Sequence, residues 1–298
     1  MSDILAGQGA DPAVLAALYD LEHDEVTEDL PFWTQIAALH AGATLDLGCG
    51  SGRLFRTLVD GGARPLIGLD GSPALLARAE RRIAADDVLG RAAGEGWLRL
   101  VPGDATSPRL ATPAPRGGFR LVVVAGVMPH LRGPEEALRM LEDVARLLAP
   151  DGRVVIDDLG PGRLPARDLP LSVDWERGSG ADRVVRRSQL TRNESPDGLR
   201  VAYATITDTV RADGTIARLP ASFRLWYPSR ATLDDLVEAA GLSVELTWGS
   251  YDLESYDPLD SERRILVAQR VGDRQDSPAA TGQQGSTREW AENRSDSS

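Results

Sequence analysis

An α/β fold built on a doubly wound parallel sheet follows from three features of the sequence. Apolar strand segments alternate with amphipathic helices from Ala43 to Asp157. The first strand, Ala43 to Leu47, runs into Gly48-Cys49-Gly50-Ser51-Gly52 and then into a helix beginning at Leu54. Glycines in such a corner let the backbone approach a ligand closely, and the free amides of the helix's first turn attract an anion. Beyond Asp157 the pattern changes to strands alone, Val184 to Leu190, Leu199 to Arg211 and Ile216 to Trp226, with Asp213-Gly214 as a hairpin turn. An antiparallel flap is therefore inserted after the fifth strand.

The elements follow in order. Residues 1 to 10 are expected to fray. Asp11-Pro12 opens a helix carrying Val14, Leu15 and Leu18, which is expected to end near Tyr19-Asp20. A second helix is predicted from Leu30 to His40, and the polar stretch Tyr19 to Glu25 either folds over a ligand or simply joins the two helices. Leu66 to Leu69 form a second strand ending at Asp70, after which Ser72-Pro73 cap a helix with Leu75, Leu76, Ala79 and Ile83 on one face. Asp70 follows Gly48 by 22 residues. An acid so placed, at the tip of the second strand, suits two ribose hydroxyls as donors and points to an adenosine-containing ligand.

Trp97 to Val101 read as a third strand, followed by Gly103-Asp104-Ala105, and Phe119 to Ala125 as a valine-rich fourth strand buried on both faces. After Gly126-Val127-Met128-Pro129-His130-Leu131 comes a helix from Pro134 to Leu148, a turn at Pro150-Asp151-Gly152 and a fifth strand from Arg153 to Asp157. Right-handed crossovers then make the five strands parallel. Past the flap, Leu233, Leu236, Val237 and Ala240 mark the last helix, with Gly241 as its stop, and Leu242 to Trp248 and Arg264 to Arg270 are two more strands. From Val271 onward the chain is polar and breaker-rich, and a disordered tail is expected.

Composition narrows the function. The 298 residues are 42% hydrophobic and 26% charged, an ordinary globular balance. A net charge of −12 argues against a nucleic-acid partner, whose phosphates want a basic face. All 33 basic residues are arginine, which removes lysine from any catalytic role. Apolar runs such as Leu121 to Val124 are far below the roughly 20 residues that cross a bilayer, and no basic, apolar signal segment opens the chain, so no membrane partner and a cytoplasmic location are expected. Cys49 is the single cysteine, which within one chain builds neither a disulfide framework nor a cysteine metal site; its side chain reads as small buried filler.

Asp46-x-Gly48-x-Gly50-x-Gly52, Asp70 after strand two, Gly103-Asp104-Ala105 after strand three and Gly152 to Asp157 as strand five together resemble the class I S-adenosylmethionine-dependent methyltransferases. The spacing G-x-G-x-G differs from the G-x-G-x-x-G of nicotinamide-binding folds. The resemblance covers roughly Tyr19 to Gln269 and implies a Rossmann-like, seven-stranded, mostly parallel sheet whose last strand is antiparallel. It implies S-adenosyl-L-methionine as cofactor. Asp46, Gly48, Cys49 and Gly50 would lie at its methionine end, Asp70 and Gly71 at the ribose, Asp104 and Ala105 at the adenine, and Gly126 and Val127 over the methionine portion. The organisation expected is N-terminal helices closing the site over 1–41, a cofactor-binding core over 42–160, the flap over 161–228, the last helix and strands over 229–270, and a tail over 271–298. The flap leaves the carboxyl edge of the sheet, so it either covers the acceptor site or merely caps the sheet.

Among such enzymes, Tyr19-Asp20 and Met128-Pro129-His130-Leu131 look most like the amine N-methyltransferases of specialised metabolism, which act on amino sugars or on terminal amines of ribosomal peptides. That likeness implies a small-molecule or peptide amine as substrate, with His130 and Tyr19 as catalytic residues on either side of it. Two readings stand beside it. A metal-free O- or C-methyltransferase is open because His130 can equally deprotonate a hydroxyl, and a non-catalytic cofactor-binding assembly module belongs to a different class altogether. Metal dependence is not expected, since Ala125-Gly126 and Asp157-Asp158 lack the oxygen-ligand set that magnesium takes.

Overall fold

The computed structural model describes residues 11–108 and 114–272. Helices α1 (Pro12–His23) and α2 (Leu30–Leu39) precede the sheet. α1 starts where the sequence places it. The Asp11 carboxylate accepts from Ala13 N at 2.9 Å, and Pro12 occupies a first-turn position that needs no amide partner. The expected end near Tyr19-Asp20 is corrected, because the helix continues to His23. Its last turn is held from outside: Arg78 pairs with Asp20, Arg177 donates to the Leu21 carbonyl and Arg186 pairs with Glu22.

The core then runs β1 (Gly42–Leu47), α3 (Phe55–Asp60), β2 (Ala63–Asp70), α4 (Pro73–Ala85), α5 (Asp87–Gly94), β3 (Leu98–Pro102), β4 (Phe119–Ala125), a single 3-10 turn at Met128–His130, α6 (Pro134–Leu147) and β5 (Leu148–Leu159). The short helix α5 is an addition to the sequence reading. Two glycines weaken its local signal, and the Asp86 side chain starts it by accepting from Val88 N and Leu89 N. β5 begins at Leu148, ahead of the predicted turn, with a register shift against β4 that absorbs Pro150-Asp151-Gly152. Four further strands follow, β6 (Leu169–Ser179), β7 (Asp182–Ser195), β8 (Gly198–Val210) and β9 (Ile216–Pro228), before α7 (Arg230–Ala239), β10 (Leu242–Trp248) and β11 (Arg263–Arg270).

The first sheet has seven strands in the order β10-β11-β5-β4-β1-β2-β3. Strands β1 to β5 pair in parallel, whereas β11 is antiparallel to both β5 and β10. Its centre is apolar on both faces. In β4, Val122 and Val124 pack towards α6 and α7 while Leu121 and Val123 pack towards α2, α3 and α4, and all four are fully buried.

The second sheet is antiparallel, in the order β6-β7-β8-β9. It supplies one strand more than the sequence suggests. β6 is an edge strand in which Leu169, Leu171, Val173 and Trp175 alternate with other residues, but Pro170 near its start and the proline- and glycine-rich stretch before it read as loop, and Leu171 and Val173 are exposed. At the far edge, β9 turns Trp226 into the main core beside Met128 and Leu131, which fixes the flap to the carboxyl edge of the first sheet. The fraying expected of residues 1 to 10 lies outside the described residues, as does the expected tail from Asp273 onward.

Candidate active site

The glycine corner is tied together by main chain. Gly48 N and Cys49 N both donate to the Leu69 carbonyl, at 2.8 and 3.0 Å, so the ends of β1 and β2 are locked side by side. Gly50 N donates to Asp70 Oδ2 at 2.9 Å and Ser72 N to Asp70 Oδ1 at 2.8 Å. Gly50 has a positive φ of 56°, and a Cβ there would stand 3.3 Å from the Tyr19 hydroxyl. Close passage of α1 over the corner thus depends on this glycine. Cys49 is buried filler, as the sequence suggests; its Sγ would be 3.0 Å from a Cβ on Gly68.

Two carboxylates are buried here. Burial, and then the neighbouring Asp70, push Asp46 up to about 7 against the pull of Arg53. Burial also raises Asp70, opposed by the amides of Ser72 and Gly50. Gly71 lies half-buried at the tip of β2. Asp104 is exposed after β3, and its Oδ1 accepts from Thr106 N at 2.9 Å, while Ala105 beside it is fully buried.

Alongside the corner is a cavity of about 740 Å³. Tyr19, Glu22 and His23 of α1 line it, with Gly126, Pro129 and His130 after β4, Asp157 and Asp158 of β5, Leu225 and Tyr227 of β9, and Tyr251 and Arg263 near β11. Gly126 has φ +66° and nothing within 4 Å of a Cβ position, so the tip of β4 is open; Val127 is buried behind it. Tyr19 and His130 therefore share one cavity. So does His23, a residue to which sequence reasoning assigns no role. The extra turn of α1 brings it there, with its ring stacked on Tyr19 at 4.1 Å between centroids and its Nδ1 2.8 Å from the Tyr19 carbonyl.

Burial, and then the proximity of His23, push His130 down to about 4, so its imidazole is neutral at pH 7. Burial raises the Tyr19 phenol well above its usual range, which keeps it a hydrogen-bond donor. Asp29 binds Arg53 through two hydrogen bonds of 2.9 and 2.5 Å. Asp157 accepts from Tyr251 OH at 2.9 Å and from Arg263 Nη2 at 2.6 Å. Asp158 differs from both. It is 2% exposed, neither carboxylate oxygen has a partner, and burial pushes it up to about 7. Sequence reasoning did not assign it, although two acids ending the apolar run Val154 to Ile156 were the available signal.

Residues 44–152 match the family model described as a methyltransferase domain. That segment is a methyltransferase domain. Its cofactor is S-adenosyl-L-methionine, and the corner fits such a group. The buried Asp46 and Asp70 carboxylates suit its ammonium and diol donors, and the open Gly126 leaves room beside them. Beyond the domain the likeness extends to whole solved structures. The chain is 22% identical to the CcbJ methyltransferase from Streptomyces caelestis, with 87% of this chain and 96% of that one covered and a TM-score of 0.63. The sugar N-methyltransferase KedS8 from Streptoalloteichus is 20% identical over 85% of this chain and 92% of its own, with a TM-score of 0.64. The S-adenosylmethionine-bound amino pentose methyltransferase CalS10 from Micromonospora echinaspora is 22% identical over 89% and 94%, with a TM-score of 0.58. At these identities the shared property is the fold. No curated protein matches the sequence significantly.

Proposed function

We propose that this chain transfers a methyl group to an amine nitrogen of a small specialised metabolite or peptide terminus. The observation that carries the reading is the pair Tyr19 and His130 on one cavity, beside the open tip of β4 and the glycine corner. Two of the similar structures are a sugar N-methyltransferase and an amino pentose methyltransferase, which supports an amine acceptor. On this reading Asp46, Gly48, Gly50, Asp70, Gly71, Asp104, Ala105, Gly126 and Val127 hold the cofactor, which supplies an electrophilic methyl group. The N-terminal helices close the site and the flap covers the acceptor.

The chain's own work is positional and protonic. An alkyl amine with a pKa near 10 is neutral in only about one molecule in a thousand at pH 7, and only the neutral form has a lone pair. The neutral imidazole of His130 is placed to take the surplus proton, and because burial lowers its basicity it serves to relay that proton onward and not to store it. Tyr19 donates from the opposite wall and orients the nitrogen. Reacting atoms held roughly 3 to 3.5 Å apart in a dry cavity complete the requirement.

His130→Ala tests this. We expect kcat to fall by about 10², with cofactor affinity unchanged and partial recovery above pH 9 as solution deprotonates the amine. Labelled cofactor with an amine library reads the rate, and product mass gives the number of methyl groups added. A variant with wild-type kcat at pH 7 returns His130 to a packing role.

A further inference from the structure

Asp158 ends β5 on the wall of the acceptor cavity, and it is the carboxylate there that the protein leaves unsatisfied. Its neighbour Asp157 is bound by Tyr251 and Arg263, and Asp29 by Arg53. Both Asp158 oxygens are buried without a partner. Natural proteins seldom leave a buried carboxylate so, because desolvation without compensation is costly.

The groups facing Asp158 offset its burial by charge but give it no hydrogen bond. Arg264, its buried cross-strand partner on β11, draws the carboxyl down by its charge, yet it donates Nη1 to the Pro228 carbonyl at 2.9 Å and does not hydrogen-bond to Asp158. Arg263 is committed to Asp157. Tyr227, raised to about 12 by its own burial and then by Asp158, stays a neutral phenol. Glu22, paired with Arg186, and Glu28 and Asp252 also line the cavity, together with Arg53, Arg163 and Arg263. The described residues contain no group of three or more His, Cys, Asp or Glu placed to hold a metal ion. A single carboxylate in this setting calls for a cation that brings its own hydrogen-bond donors.

We propose that Asp158 is the counter-ion on which the acceptor's protonated amine docks, so that the site selects amines that are cationic in solution. This rests on the N-methylation reading for the identity of the ligand. Docking makes ammonium-to-carboxylate hydrogen bonds and no covalent bond, and the proton that must leave the nitrogen passes afterwards to His130. The cost of the empty carboxylate is carried by the unliganded protein, as at other binding sites where stability is given up for function.

Two substitutions in the full chain, Asp158→Asn and Asp158→Ser, separate this role from a structural one. The folded carboxyl holds its proton up to about pH 7 whereas the unfolded one loses it near 4. The folded state therefore binds more protons between those values, and wild-type stability falls as pH rises through that window. Asp46, likewise raised to about 7, keeps its own share of that slope, so both variants should show a shallower slope than wild type and melt higher than it at pH 8. n-Butylammonium should stabilise the wild-type protein and n-butanol should not, and the variants should lose at least tenfold of the butylammonium affinity. Variants that melt lower at pH 8, or that bind butylammonium as wild type does, overturn the proposal. Turnover on the amine library runs in parallel. Asp158-dependent butylammonium binding without any methylated amine would sink the N-methylation reading and leave the site standing; amine products at unchanged KM in Asp158→Asn would do the reverse.

Discussion

The two sheets hold themselves together in different ways. In β4 of the first sheet, Val122, Val123 and Val124 in succession are fully buried, so the middle of the strand is apolar on both faces and its one ion pair among the described residues, Arg120 with Asp151 of β5, lies near its start. In β8 of the second sheet, Asp208 is bonded by Arg187 from β7 and by Arg218 from β9, and the apolar cluster beneath is small, centred on Leu199, Val201 and Tyr227. The difference teaches a division of labour. A sheet packed on both faces offers a ligand little but the backbone at its edge, which suits a cofactor held at the glycine corner. A sheet held by cross-strand ion pairs keeps side chains free to contact other elements, and the flap uses Arg177 and Arg186 to reach α1 above the cavity.

Three substitutions probe the two sheets and the glycine corner, and the largest effect is expected in the core. Phe119→Ala empties a fully buried site at the start of β4 and should cost about 3 to 5 kcal/mol, seen as a lower urea midpoint for the whole chain. A flap that still melts at its original midpoint would show that the two sheets fold independently. Next comes the cofactor corner. Asp70→Ala removes a charged acceptor and should weaken cofactor binding at least tenfold by calorimetry, while the chain still unfolds in a cooperative transition at a somewhat lower midpoint because Gly50 N and Ser72 N lose their acceptor. Unchanged affinity would remove Asp70 from the cofactor site. The smallest effect is expected at the clamp. Arg186→Met breaks the partly buried pair with Glu22, and hydrogen exchange over Leu15 to Asp24 should speed several-fold while β4 stays protected. Equal exchange in the variant would mean that Arg78 on Asp20 holds α1 by itself.

What could be read without a structure was whatever depends on local spacing. Glycines at 48, 50 and 52, an acid 22 residues beyond the first of them and a valine run flanked by turn residues specify the corner and the order of the core, because strand, turn and helix periods are properties of neighbouring residues. Helix α1 begins where Asp11-Pro12 place it for the same reason. Its end does not follow from neighbours. It is decided by Arg78, Arg177 and Arg186, which stand 58, 156 and 164 residues away from the groups they hold. That extra turn is what carries His23 into the cavity. β6 escapes local reading because Pro170 and the proline- and glycine-rich residues before it read as loop, although Leu169, Leu171, Val173 and Trp175 alternate along it. The state of Asp158 is likewise tertiary. A carboxylate is costly only when water is removed and no partner replaces it, and that condition is set by β11, β9 and the flap folding around the end of β5.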